Sequence, residues 1–370
     1  MEPFKNEFSY QRAQHFIAEI QRVHPELDAD CILQGLEAAL EPLELKQRMQ
    51  LWADRLEAQL PEDPEAMFQI LVAALKADED AEVGLASFQV WPLTELVARR
   101  GLGHFDAAMA ALREMTQRFT AEFAVRPFLR EQPERTLDQF GRWTADPNHH
   151  VRRLVSEGSR PYLPWGERLP QIAENPQLTL PLLDRLKADP SDYVRLSVAN
   201  HLNDFSKVHP QWVVKTLKAW RRGYSNRSHY ERLARHACRT LVKQGHAGAL
   251  KLLGYAGPEA WELLSIELEN HTLRIGDSLK YRLRVCNRTE KTQKLLFDFA
   301  IGLRKANGRL SPKVFKGRVR DVAAGETAEI PGKLHFKPVT TRVYHPGTHT
   351  FELRLNGKAF EPIEFELLDS

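Results

Sequence analysis

The chain of 370 residues contains only three cysteines, Cys31, Cys238 and Cys286. They are odd in number and far apart, with no Cys-x-x-Cys pair and no histidine pair nearby, which argues against a disulfide framework and against a zinc site. Long apolar runs are missing as well. No stretch reaches the roughly 18 to 20 residues that span a bilayer, and Met1-Glu2-Pro3-Phe4-Lys5 lacks the basic-then-apolar layout of a secretory signal. The expectation is a cytoplasmic protein with no membrane contact, no metal and no other cofactor. With 42% hydrophobic and 27% charged residues, the chain is neither disordered nor collagen-like. Its length exceeds what one core usually serves, so two or more packed units are expected.

A net charge of +3 hides an uneven distribution. Residues 1–100 carry 9 basic against 19 acidic residues, residues 101–260 carry 24 against 16, and residues 261–370 carry 19 against 14. An acidic third followed by two basic parts suits later segments that face a polyanion, although ordinary solvated charge gives the same totals.

From residue 6 to about 250 apolar residues recur at helical spacing, broken at Pro, Asp and Gly. Phe105, Ala108, Met109, Leu112, Met115, Phe119 and Phe123 share one face of what reads as a single long amphipathic helix. Asp146-Pro147 followed by Val151-Arg152 returns 43 residues later as Asp189-Pro190 followed by Val194-Arg195. That is the period of HEAT or armadillo hairpins, which stack into a solenoid. Tyr230-Glu231-Arg232-Leu233 reads as a degenerate third copy.

Near Gly257 the period drops to two. Leu279, Tyr281, Leu283 and Val285 alternate with Lys280, Arg282, Arg284 and Cys286, and His349, Phe351, Leu353 and Leu355 alternate with Thr350, Glu352, Arg354 and Asn356. Asn307-Gly308 and Asn356-Gly357 suit tight turns. About seven short strands in this tail suggest an immunoglobulin-like sandwich. The expected architecture is an all-α HEAT-like solenoid over residues 1–257 followed by an all-β sandwich over residues 258–370.

The segment from Asn148 to Gly166, with Asp192 to Asp204 and Asn226-Arg227, resembles the AlkC-type alkylpurine DNA glycosylases, in the form with a C-terminal immunoglobulin-like domain. The resemblance covers the whole helical part. It implies a monofunctional enzyme that hydrolyses the N-glycosidic bond of cationic N3-alkylated purines such as 3-methyladenine, with 3-methylcytosine as a further candidate, in duplex DNA. It also implies attack without turning the damaged nucleotide into a pocket, and a monomer.

A cationic base is already a good leaving group, so the harder task is to stabilise an oxocarbenium-like sugar and to position water. Carboxylates do both. The resemblance carries over Glu122, Glu157 and Asp204, with Trp165 as an aromatic that packs on the sugar and adds cation–π stabilisation. Each has a plainer reading. Glu122 could pair with Arg118 and Arg126 on a helix surface, Glu157 with Arg153 in an exposed ion pair, Asp204 could open a turn, and Trp165 could fill a gap as Trp52 and Trp212 are expected to do.

For phosphate contact the candidates are Arg152, Arg153, Arg160, Arg195 and Arg227, with Lys207, Arg232, Arg235 and Arg239 as further cations on the helices. On the strands they are Lys280, Arg282 and Arg284, or the run Lys313, Lys316, Arg318 and Arg320, closing round the duplex; alternatively these charges only solubilise a sheet face. A non-catalytic HEAT scaffold for a protein partner, or a DNA-binding protein without catalysis, is the competing functional class.

Overall fold

The computed structural model describes residues 3–77, 81–338 and 343–369. The chain divides into two compact units, Met1–Val208 and His209–Ser370. All helices precede Gly254 apart from one 3₁₀ turn, and all named strands follow Ala260. The junction expected at Gly257 lies within that change of secondary structure, whereas the compact units divide earlier.

Among the described residues of the first unit, the regular elements are helices, with one isolated bridge between Leu75 and Leu85. Its helices open on side-chain caps where the sequence offers them: Ser9, Asp28, Asp63 and Asn148 each accept a backbone N–H of the first turn. The apolar stripe beginning at Phe105 does not form one helix. The helix Phe105–Thr116 ends at Thr116, and beyond it the Thr120 hydroxyl takes the backbone N–H of Glu122 at 3.3 Å, a local bond in place of helical pairing. Phe119 and Phe123 are half-buried and still pack beside Trp91, with ring centroids 6.2 and 5.2 Å from it. The break sets Glu122 in a turn before the helix Arg126–Glu131.

The helices His149–Gly158 and Asp192–Phe205 pack against each other. Val151, Leu154 and Val155 meet Val194, Val198 and Leu202, all six inaccessible to solvent.

The second unit begins with the helices Pro210–Gly223, Arg227–Ala237, Arg239–Lys243 and Ala247–Leu252. The proposed third repeat copy fails in register. Tyr230 and Leu233 are 3% exposed, while their counterparts Tyr193 and Leu196 are 41% exposed, so the two segments bury different faces. Among the described residues nine strands follow: β1 (Trp261–Leu268), β2 (Thr272–Arg274), β3 (Ser278–Asn287), β4 (Gln293–Arg304), β5 (Leu310–Val322), β6 (Thr327–His335), β7 (Gly347–Leu355), β8 (Lys358–Ala359) and β9 (Ile363–Leu368). One sheet has the order β1-β3-β6, the other β2-β9-β7-β4-β5 with β8 beside β7. Seven strands were legible in the pattern; β2 and β8 are too short to show a period.

The alternation in β3 and β7 places Leu279, Leu283, Val285, Phe351 and Leu353 in the sandwich core, each fully buried. Asn356 and Gly357 both have positive φ, 44° and 86°, as a two-residue hairpin turn requires. Asn356 also donates to the Ala256 carbonyl at 2.8 Å, tying the turn to the first residues of the strand region.

Candidate active site

The Asp-Pro repeat positions the site. Asp146 and Asp189 each accept a backbone N–H two residues on, from Asn148 at 2.9 Å and Ser191 at 2.8 Å. Each is also held by an arginine from the preceding repeat: Arg113 reaches Asp146 at 2.7 Å, and Arg152 reaches Asp189 through a fork at 2.6 and 3.0 Å. The arginine six residues after each aspartate folds back on its turn. Arg152 donates to the carbonyls of Asp146 and Pro147, and Arg195 to those of Asp189 and Pro190. Arg152 and Arg195 were expected to contact phosphate. Their guanidinium groups are instead spent on this ladder, and Arg195 is only 5% exposed.

On the frame so built, all three expected carboxylates come together in one chain of alternating charge. Glu122 accepts from Arg153 at 2.5 Å and from the Thr120 hydroxyl at 2.8 Å. Arg153 lies 3.5 Å from Glu157. Glu157 accepts from Arg160 at 2.6 Å and from the Ser197 hydroxyl at 2.6 Å. Arg160 then forks onto Asp204, with Nε to Oδ2 at 2.9 Å and Nη2 to Oδ1 at 3.2 Å. Lys207 stands 3.6 Å from Asp204 at the far end.

The order of charges corrects two expectations. Glu122 is paired with Arg153, not with Arg118 or Arg126: Arg118 donates to the carbonyls of Lys76 and Ala77, and Arg126 to backbone carbonyls beyond residue 157. Arg160, expected on phosphate, is 6% exposed between two carboxylates. The pair Arg153–Glu157 forms as its spacing foretold, but it is buried, with side-chain exposures of 14% and 7%. Asp204 sits at the penultimate position of its helix, where the macrodipole disfavours an anion. The Arg160 fork supplies the compensating cation, and Asp204 is 2% exposed, so it does not open a solvated turn.

Burial alone would raise the Glu157 carboxyl, yet the charges of Arg153 and Arg160 and the Ser197 bond outweigh it and hold the group below its ordinary value. The same contest raises Arg153 and Arg160: burial pushes each down and their carboxylate partners more than restore it. Both arginines therefore stay charged, and Glu157 is ionised at neutral pH.

Trp165 is 61% exposed, with φ of 63°, a left-handed backbone that a bulky residue adopts only when its surroundings enforce it. The enforcement comes from Arg126, which is 1% exposed and donates to the carbonyls of Gly158 at 2.8 Å, Arg160 at 3.0 Å and Glu167 at 2.6 Å, so fixing both ends of the loop. Burial pushes the Arg126 guanidinium down to about 10, against the upward pull of Glu167 and Glu122. Lys46 donates to the Trp165 carbonyl. Trp52, in contrast, is 2% exposed against Phe8 and Phe16, and Trp212 is half-buried.

In the second unit Arg227 is exposed and pairs with Glu231 at 3.0 Å. Lys280 pairs with Glu269 at 3.3 Å and Arg282 with Glu329 at 3.4 Å. Both line a cleft of about 620 Å³ between the strands, together with Lys316, Arg318 and Lys333. Members of the two alternative basic groups of the strand region thus meet in one place, without Lys313 and Arg320. Arg284 is exposed farther along β3 and does not line the cleft.

The roles of Thr120, Ser197 and His201 escaped the sequence reading, and Arg126, expected beside Glu122, holds the loop carbonyls instead. Ser197, His201 and Asp204 recur at i, i+4 and i+7, a polar stripe on a face that also carries Val194 and Val198, and this was the available signal. His201 is inaccessible to solvent and bonds the Ser156 carbonyl at 2.9 Å. Burial drives its imidazole down to about 3. Among the described residues no group of histidine, cysteine and carboxylate side chains is placed to hold a metal ion, and no helix is long and apolar enough to cross a membrane.

Comparison with known proteins agrees with this architecture. Residues 101–243 match the family model described as DNA alkylation repair enzyme. Residues 262–369 match the model described as Uncharacterised protein YhaZ, C-terminal Ig-like domain. The chain is 33% identical over 368 residues to the YhaZ protein of Bacillus subtilis (strain 168), covering 99% of this chain and all of that one. It is 36% identical to the alkylpurine DNA glycosylase AlkC of Pseudomonas fluorescens, solved bound to DNA containing an abasic site analogue; the match covers 99% of this chain and all of that one, with a TM-score of 0.90. The chain belongs to the AlkC-type family of DNA alkylation repair proteins, in the form that carries a C-terminal immunoglobulin-like domain.

Proposed function

We propose that this protein is a DNA glycosylase that hydrolyses the N-glycosidic bond of cationic N3-alkylated bases in duplex DNA, the purine 3-methyladenine first and the pyrimidine 3-methylcytosine as a further substrate. The observation that carries the reading is the chain Glu122–Arg153–Glu157–Arg160–Asp204. Three carboxylates are fixed between two guanidiniums, with Lys207 balancing the last of them, so negative charge is held at defined positions in a partly dry setting. Such preorganised charge attracts a cationic lesion and stabilises positive charge as it develops on the sugar. Membership of a family that includes an alkylpurine glycosylase supports the same substrate class.

Within the chain the roles divide by access. The Glu122 side chain is 12% exposed, against 7% for Glu157 and 3% for Asp204. Glu122 therefore orients the attacking water and accepts its proton, while Glu157 and Asp204 supply negative potential from behind. Trp165 packs on the deoxyribose. Water is the nucleophile and the cationic base leaves as a neutral molecule, so the product is an abasic site and the strand remains intact. A cationic base needs no acid to leave, and the resemblance to the AlkC-type family supports a reaction that proceeds without extruding the nucleotide.

Residues 1–257 perform this reaction and residues 258–370 add the cationic cleft of Lys280 and Arg282, with Arg227 as the exposed phosphate contact of the helices. The protein acts as a cytoplasmic monomer and needs no cofactor. The test is chromatography of bases released from methylated duplex DNA by the purified protein. Release of 3-methyladenine with intact strands supports the reading; tight, salt-dependent DNA binding with no released base would remove it in favour of a binding protein.

A further inference from the structure

A second basic pocket lies in the second unit, outside the carboxylate chain and outside the cleft of Lys280. Its volume is about 450 Å³. Arg221, Arg227, Arg235, Lys251 and Lys294 line it, against a single acid, Glu231. Glu231 is already committed to Arg227 at 3.0 Å. The other four cations are exposed and have no carboxylate partner among the described residues. Asp321 stands opposite Lys294 in the β4–β5 ladder but forms no ion pair with it.

The walls are built to keep the pocket open. Tyr230 is 3% exposed and its hydroxyl donates to the Leu217 carbonyl at 2.9 Å, fixing one side. Gly254, with φ of 84°, turns the chain from the helix Ala247–Leu252 so that Tyr255 forms another side. Cations gathered round one cavity with no offsetting acid repel one another, and an entering anion relieves that repulsion. Arginine forks and lysine point charges together suit a phosphate group, and flat tyrosine walls suit the sugar or base attached to it.

We infer that Arg221, Arg235, Lys251 and Lys294 form a phosphate-binding socket at the junction of the last helices with the strands. The phosphate comes either from the backbone of the DNA substrate, a source that rests on the proposed function, or from a free phosphate compound, which does not.

The test uses the full chain and the double variant Arg235→Gln/Lys251→Gln, both surface positions, with helix content by circular dichroism as the check of folding. Affinity for duplex DNA is measured against salt, and inorganic pyrophosphate is titrated by calorimetry. If the socket takes the DNA backbone, the variant's log–log salt slope falls by about 1.8, at roughly 0.9 per lost phosphate contact, and pyrophosphate binds neither protein. If it takes free phosphate, the slope is unchanged and pyrophosphate binds the wild type and not the variant. A folded variant unchanged in both measurements overturns the inference. Failure of the wild type to release any base would count against the proposed reaction alone, since both binding measurements still decide the socket.

Discussion

Arg160 joins Asp204 through a two-point fork, Nε to Oδ2 at 2.9 Å and Nη2 to Oδ1 at 3.2 Å, while its Nη1 holds Glu157 at 2.6 Å. One buried guanidinium thus fixes two carboxylates that lie 47 positions apart in the sequence. Removing it leaves both acids buried with fewer partners. Arg160→Gln is expected to cost roughly 3 to 5 kcal/mol of stability, the usual penalty for breaking a buried pair, and Arg160→Lys to keep the charge but lose the fork. Urea unfolding of the two variants checks this; Arg160→Gln as stable as wild type would show that the network does not depend on Arg160.

The exposed tryptophan behaves in the opposite way. With 61% of its surface in solvent, Trp165 contributes little to the fold, so Trp165→Ala should change stability by no more than about 0.5 kcal/mol while lowering base release. A melting temperature that drops along with activity would mark Trp165 as structural.

The Asp-Pro ladder offers a double-mutant cycle. Arg152 and Asp189 meet through two bonds at 2.6 and 3.0 Å with side-chain exposures of 13% and 4%. Their coupling energy, from Arg152→Ala, Asp189→Ala and the double variant, should fall at about 1 to 3 kcal/mol. A value near zero would mean that the repeat motif is not held by this pair.

Acid should weaken the fold beneath the carboxylates. His201 stays neutral in the folded state down to about pH 3, whereas the unfolded chain protonates it near pH 6.5. The unfolded state therefore binds more protons between those values, and stability falls as pH is lowered through that window. Between pH 7 and pH 4.5 the loss from this residue amounts to about 2.5 kcal/mol. Glu157, held below its ordinary value, adds a loss of the same sign at lower pH. Denaturant midpoints against pH measure the slope, and His201→Gln should flatten it.

Much of this was legible before any coordinates. The Asp-Pro recurrence marked the repeats, the period-two stretches marked β3 and β7, and the family resemblance picked out Glu122, Glu157 and Asp204, which the fold gathers into one chain. Apart from the Arg153–Glu157 pair, what the pattern could not show was pairing. An arginine on a basic stretch looks the same whether it faces phosphate or a buried carboxylate, and Arg152, Arg160 and Arg195 all turn inward because their acceptors lie at least one turn or a whole repeat away. The break after Thr116 was hidden for a related reason: the apolar spacing runs on through Phe119 and Phe123 although the helix has ended and Thr120 bonds the backbone locally.

The most direct test of the proposed chemistry is the single-turnover release of 3-methyladenine from methylated duplex DNA by wild type and by Asp204→Asn, with affinity for duplex containing an abasic-site analogue measured on both. The variant keeps the shape of the site and removes one negative charge, so the expected result is a rate lower by about a hundredfold with binding retained. Equal rates for the two proteins would contradict the assignment of the carboxylate chain as the source of catalysis.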